Sequence, residues 1–213
     1  MSAPIPVLQV RNLCLGWPGQ PLFQDLSFDL PPGLSLVTGD DGCGKSTLLR
    51  LLAGERPADS GTLQLNGRAL SPTYSDWRSD VFWIDPQTQA NDDISANRFF
   101  ESLRLRHPRC SPEALSELAE GFGLNAHREK PMYMLSTGSK RKVWLTAAFA
   151  AGAALTLIDQ PFAALDGPAL RFLRELLQDV ADHPSRAWLI ADHAAPDGIP
   201  LAQTVLLSQP GSS

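Results

Sequence analysis

The octapeptide Gly39-Asp40-Asp41-Gly42-Cys43-Gly44-Lys45-Ser46 constrains this chain more than any other stretch of it. It matches G-x-x-x-x-G-K-[ST] at every fixed position, and at ordinary residue frequencies a chance match over this length has a probability on the order of 1%. Such a loop works between a buried strand and a helix, because backbone N–H groups and the helix N-terminus together cradle phosphate oxygens. The flanks fit: Leu34 to Thr38 reads as a short apolar strand, and Ser46 to Ala53 reads as a helix. Lys45 is then placed to reach the β and γ phosphates of a nucleotide, and the Ser46 hydroxyl to ligate Mg²⁺. The expected nucleotide-binding set is Gly39, Asp40, Asp41, Gly42, Cys43, Gly44, Lys45, Ser46 and Thr47.

Strands and helices interleave around this loop, which is the rhythm of an α/β protein whose parallel sheet is covered on both faces. Residues 7–15 and 22–30 read as an antiparallel strand pair across the turn-rich stretch Gly16 to Pro21. Further strands are expected at Thr62 to Asn66 and Asp80 to Ile84. From Asn91 to about Lys142 the strand signal disappears, and Ala96 to Leu105 and Pro112 to Phe122 look helical. The rhythm then returns with strand Leu155 to Asp159, helix Pro168 to Val180, and strands Ala187 to Ala191 and Thr204 to Leu207. The helix at 168 has Asp166 and Gly167 before a first-turn proline, and Leu173, Leu176, Leu177 and Val180 at i, i+3, i+4 and i+7. The expected fold is therefore α/β: a P-loop NTPase core with a mainly parallel sheet, an N-terminal antiparallel β region and an inserted α-helical lobe. Residues 1–90 and 143–213 would form the nucleotide-binding core, and 91–142 the lobe, within a single domain.

Composition removes several alternatives. Lys and Arg number 18 against 23 Asp and Glu, a net charge of -5, so no basic footprint for nucleic acid is present and none is expected as a partner. Cys14, Cys43 and Cys110 are too few and too scattered for a disulfide framework, which suggests a reducing compartment. The N-terminus lacks a charged lead followed by an apolar run, so a cytoplasmic address is the expectation. The apolar run from Val143 to Ile158 contains two Thr and a Gly and falls short of the roughly 18–20 residues that span a bilayer. It reads instead as a buried helix passing into a buried strand, broken near Gly152.

The apolar strand Leu155-Thr156-Leu157-Ile158 ends in Asp159, a carboxylate where phosphate-loop proteins hold Mg²⁺. No Asn-Lys-x-Asp element occurs, which argues against a GTPase. Between loop and strand lies Leu135-Ser136-Thr137-Gly138-Ser139-Lys140-Arg141-Lys142, followed by an apolar helical stretch. With this element the sequence resembles the ATP-binding subunit of ABC transporters, from about residue 7 to residue 208. Leu135 to Ser139 is similar to the family signature, Val81-Phe82-Trp83-Ile84-Asp85-Pro86-Gln87 to the Q-loop, Ala163-Ala164-Leu165-Asp166 to the D-loop, and Leu189 to His193 to the strand carrying the switch histidine. Trp17 stands where the family places an aromatic residue that stacks on adenine.

The resemblance implies roles residue by residue. Trp17 offers a π face to adenine, unless it is a plain surface or core aromatic. Gln87 touches Mg²⁺ or the attacking water and relays nucleotide state to the lobe, unless it is an ordinary loop residue. His193 hydrogen-bonds the γ-phosphate, against a satisfied strand-end histidine. Leu135, Ser136, Thr137, Gly138 and Ser139 act in trans, closing over ATP held by another subunit, and Asp166 belongs to the D-loop. Ser46, Gln87 and Asp159 form the implied metal set. The implied partners are a second copy or a homologous ATP-binding subunit, and an integral-membrane permease that keeps the chain peripheral on the cytoplasmic face. His107, His127 and His183 match no element and are expected to be solvated.

Two positions depart from the family pattern. The signature reads Leu-Ser-Thr-Gly-Ser rather than Leu-Ser-Gly-Gly-Gln, and Thr137 is expected to weaken engagement without abolishing it. Gln160 occupies the place of the glutamate that polarises the attacking water. A Gln amide hydrogen-bonds water but does not accept its proton, and general-base catalysis contributes about 10²–10⁴ in rate. Three readings stay open: a slow ATPase using His193 or another base, the degenerate half of a heterodimer, and a deliberately trapped variant. A non-hydrolysing, ATP-gated binding module is the alternative from another class. The run Leu157 to Asp166 looks most like the small haem-exporter ATPases of cytochrome c maturation. Arg98, Arg104, Arg106 and Arg109 read as a solvated helix face or a surface toward a membrane partner. The Cys43 thiol, inside the phosphate loop, is a candidate for alkylation that blocks ATP.

Overall fold

The computed structural model describes residues 5–69 and 75–208. Two sheets carry the fold. Strands β1 (Leu8–Trp17), β2 (Gln20–Leu30), β4 (Ser60–Leu65) and β5 (Arg68–Ala69) form an antiparallel sheet in the order β2-β1-β4-β5. Strands β3 (Gly33–Thr38), β6 (Val81–Phe82), β7 (Leu155–Asp159), β8 (Ala187–Ala191) and β9 (Gln203–Leu206) form a parallel sheet in the order β6-β7-β8-β3-β9. The helices are α1 (Lys45–Leu52), α2 (Ser75–Asp80), α3 (Ala96–Arg106), α4 (Pro112–Gly121), α5 (Thr137–Ala150) and α6 (Gly167–Val180).

Every residue of β7 and β8 is buried, which requires cover on both faces. Side chains alternate accordingly. Leu34, Leu36, Ile158, Trp188 and Ile190 pack with α3, α4, α5 and α6, while Val37, Leu155, Leu157 and Leu189 pack with α1 and the antiparallel sheet. Helix α1 buries Leu48, Leu49, Leu51 and Leu52, each contributing about 1.5–3 kcal/mol of apolar burial and together fixing the helix that follows the Gly-rich loop. Because β3 and β7 run parallel on either side of β8, their C-terminal ends lie at one edge of the sheet. That edge receives the loop and Asp159.

The expected α/β architecture is present, with differences in detail. The first hairpin is tighter than its turn-rich sequence suggests: β1 runs to Trp17 and β2 resumes at Gln20, with Gly19 at φ 78 turning the chain. The strand expected at Asp80 to Ile84 shrinks to Val81–Phe82, since Asp80 closes α2 and the chain leaves the sheet toward a turn at Asp85. The apolar run does divide into α5 and β7, and Gly152 marks the break at φ 64 with no room for a Cβ against Arg109. Helix α5 continues through Lys142, so the expected boundary between lobe and core falls inside one helix. Among the described residues no helix is long and apolar enough to cross a membrane.

Candidate functional site

Lys45 opens α1 and is only 8% exposed. Its ammonium donates to the carbonyls of Gly39 at 2.6 Å and Asp40 at 3.0 Å, so the loop curls around the cation. The curl depends on glycine at two places. A Cβ on Gly44, at φ 100, would sit 3.0 Å from the Phe23 ring, and one on Gly39 would sit 2.3 Å from the Leu207 carbonyl. Strand β2 and the residue just after β9 thus press on the loop from either end. Cys43 is fully buried beneath it, with Sγ 4.0 Å from the Lys45 ammonium.

The Ser46 hydroxyl donates to a carboxylate oxygen of Asp159 at 2.5 Å. Asp159 is 9% exposed, and burial pushes its carboxyl above the usual carboxylate range. The Ser46 hydrogen bond, Arg141 and Lys45 oppose that shift, and the Asp85 carboxylate adds to it. Arg141 reaches in from α5 and donates to the backbone carbonyl of Asp159 at 2.9 Å. Burial lowers the pKa of its guanidinium, while Asp159 and Asp192 hold it up. Among the described residues no group of three or more His, Cys, Asp or Glu side chains is placed to hold a metal. Ser46 and Asp159 are hard oxygen donors already in contact, which fits Mg²⁺: that ion takes one or two protein ligands and completes its shell with phosphate oxygens and water.

Gln87, Gln160 and His193 follow the C-terminal ends of the parallel strands β6, β7 and β8, at the same edge of the sheet. Gln160 follows β7 in the left-handed region at φ 46, its N–H donating to Ala191 at 2.8 Å, so its exposed side chain leaves the sheet at a fixed bend. The His193 carbonyl accepts from Thr38 Oγ1 at 2.9 Å, and its Nε2 lies 3.5 Å from the Asp41 carboxylate of the loop. Gln87 is exposed, its N–H donating to Asp85 at 2.9 Å, and Asp85 in turn pairs with Arg50 of α1 at 2.5 Å. Trp17 is 54% exposed at the end of β1.

The signature stretch is built as a helix start. Ser136 caps α5, its hydroxyl accepting from the Ser139 N–H at 3.1 Å and meeting the Ser139 hydroxyl at 3.0 Å. Leu135 is buried beneath it, and Thr137 is exposed. Gly138 has an intramolecular reason to be glycine: a Cβ there would lie 2.4 Å from the carbonyl of Ala164 in the D-loop stretch. The three cations that follow each grip a different element. Lys140 pairs with Asp92 at 2.6 Å, Arg141 holds the end of β7, and Lys142 pairs with Asp166 at 2.6 Å. Asp166 also caps α6 through the Ala169 N–H at 3.0 Å, and Lys142 first, then this cap, hold its carboxyl below the usual range. Among the described residues, none of the hydrogen bonds or ion pairs made by residues 136–142 reaches the loop at 39–47.

Arg141, Lys142, Asp85 and Arg50 were not singled out by sequence reasoning. A signal existed for the first two. Three cations in the first turns of a helix face the positive end of its dipole, an arrangement that needs carboxylate or carbonyl partners. The histidine expectation needs correction. His107 is 5% exposed, packed on Phe82 with Nδ1 3.0 Å from the Ser79 carbonyl, and burial lowers its pKa. His183 is half-buried against Trp188 and faces the N–H groups of Ser185 and Arg186. Both were expected in solvent; apolar cover from Phe82 and Trp188 removed them from it. Of the four arginines read as a helix face, Arg109 lies beyond the end of α3 and pairs instead with Asp80 at 2.6 Å.

A Gly-rich loop between strand and helix, a strand-end carboxylate bonded to the loop's serine, and a parallel sheet backed by an antiparallel one define the phosphate-loop nucleotide-binding class. The ABC transporter family matches residues 23–163, and the chain belongs to this family, as an ATP-binding subunit. It is 28% identical over 209 residues to the taurine import ATP-binding protein TauB of Escherichia coli O6:K15:H31, covering 96% of this chain and 80% of that one. It is 28% identical over 182 residues to the cytochrome c biogenesis ATP-binding export protein CcmA of Vibrio vulnificus, covering 83% and 87%. Among solved structures, an ATP-binding subunit of an ABC transporter superposes with a TM-score of 0.78 at 22% identity, over 88% of this chain and 79% of the other.

Proposed function

We propose that this chain binds Mg·ATP at an interface between two ATP-binding subunits, and that it couples binding, with hydrolysis slowed at Gln160, to a separate membrane permease. The observation that carries the reading is the Ser46–Asp159 contact, placed beside a lysine gripped by its own loop. On binding, Lys45 exchanges the carbonyls of Gly39 and Asp40 for phosphate oxygens, and the loop N–H groups and the α1 N-terminus receive the rest of the charge. Ser46 and Asp159, with Gln87, would hold Mg²⁺, which would supply positive charge against the phosphate oxygens. Trp17 stacks on the base. His193, carried over the loop by the ends of β3 and β8, donates to the γ-phosphate. Gln160 orients the attacking water but does not take its proton, which passes to His193 or another base, so the step is slow.

The signature residues 135–139 serve the partner's nucleotide. Helix α5 presents its N-terminus there, and its cations are tied to Asp92, Asp159 and Asp166. A ligand met by this helix therefore shifts the ends of β7 and α6 together. The relatives named for taurine import and for cytochrome c biogenesis export match at the same identity, and choice of cargo belongs to the permease. The amide at Gln160, which does not accept a proton, supports a second reading, a module whose assembly state is set by nucleotide without turnover.

Equilibrium ATP binding with and without Mg²⁺, combined with sedimentation of the unmodified chain and Lys45→Ala, tests the proposal. The unmodified chain is expected to bind more tightly with Mg²⁺ and to shift toward a dimer. Lys45→Ala is expected to do neither, and unaltered binding by that variant would remove the loop from the account.

A further inference from the structure

We infer that Arg56 is a positioning residue for the nucleotide base, acting through Trp17; the inference rests on Trp17 being the base-stacking residue. The Arg56 guanidinium lies over the Trp17 ring, 5.0 Å from its centroid. A planar cation on one indole face is attracted by the ring quadrupole, and it leaves the opposite face for a second planar group. The ring is 54% exposed, so a face is available.

The segment that carries Arg56 is itself fixed at three points. The Glu55 carboxylate accepts from the Trp83 indole N–H at 2.9 Å, the Asp59 carboxylate accepts from the Gly16 N–H at 2.9 Å, and the Asp59 N–H donates to the Cys14 carbonyl at 3.0 Å. Two of these ties end on β1 within three residues of Trp17, and the third ends on Trp83, directly after β6. Arg56 is half-buried between them. With the backbone on either side of it held, Arg56 keeps its guanidinium over the indole, and the indole between guanidinium and base is biased toward one plane. A ring pre-set in this way costs less entropy to order when the base arrives.

The test compares ATP with inorganic tripolyphosphate, which has the phosphates and no base, on the full chain. Arg56→Ala and Arg56→Lys are expected to weaken ATP by about two- to fivefold, the range of an exposed cation–π contact. Tripolyphosphate binding should be unchanged. Unaltered or tighter ATP binding by both variants would overturn the inference, and so would an equal loss for tripolyphosphate, since the effect would then lie outside the base. Trp17→Ala, measured alongside, separates the two layers. If it leaves the ratio of ATP to tripolyphosphate affinity unchanged, the base-stacking reading fails. If it lowers the ratio while the Arg56 variants do not, only the role of Arg56 fails.

Discussion

Ser46 and Asp159, 113 residues apart in sequence, meet through a hydroxyl-to-carboxylate hydrogen bond of 2.5 Å. The contact joins the start of α1 to the end of β7 and gathers two hard oxygens beside the phosphate loop. Asp159→Asn keeps the shape and removes the charge that would hold Mg²⁺. It is expected to weaken Mg·ATP by at least roughly tenfold, about 1.4 kcal/mol, and to leave Mg²⁺-free ATP nearly unaffected. Calorimetric titration with and without Mg²⁺ checks this, and equal losses in both would remove Asp159 from the metal set.

Arg141 is the strut between α5 and the end of β7. Removing it leaves the Asp159 carbonyl without its donor and the neighbouring carboxylates without a counter-charge. Arg141→Ala is expected to cost about 1.5–3 kcal/mol of stability, the range for a hydrogen bond from a charged group. Denaturant unfolding measures it, and a change within about 0.5 kcal/mol, the usual size of a surface substitution, would mean the strut carries no load.

Lys142 and Asp166 join α5 to the cap of α6. A double-mutant cycle on Lys142→Ala and Asp166→Asn is expected to give a coupling energy of about 0.5–1 kcal/mol, since the carboxylate is half exposed. Additive effects would show two independent surface residues.

His107 sets a pH dependence whose sign follows from burial. Its pKa in the folded state is lowered, so between that value and the ordinary histidine range the unfolded chain binds more protons. Stability then rises with pH through this window: the contribution is complete above about pH 6.5 and is lost as pH falls below it. His107→Asn, which keeps a donor for the Ser79 carbonyl, is expected to flatten the unfolding midpoint between about pH 7 and pH 5 relative to the unmodified chain. An unchanged slope would place the acid sensitivity elsewhere, His183 being the next group with a lowered pKa.

Much of this was legible in the residues because the motifs are local. The loop at 39–46 needs its strand and helix, and the continuous apolar run of β7 and the i, i+3, i+4 pattern of α6 follow from a few side chains each. What was not legible depended on neighbours distant in sequence. The burial of His107 comes from Phe82, the partners of Lys140, Arg141 and Lys142 lie 18–48 residues away, and Gly138 is required by a carbonyl at Ala164. Helix α2 escaped because its six residues are too few for a periodicity to register, whereas the strand after it was expected and is only shorter than its apolar residues suggest.

Steady-state phosphate release from Mg·ATP by the unmodified chain, measured beside Gln160→Glu, tests the central claim most directly. The account predicts slow release by the unmodified chain, with ATP still bound, and a gain of about 10²–10⁴ on restoring a carboxylate at residue 160. Rapid release by the unmodified chain, or no gain from Gln160→Glu, would contradict it.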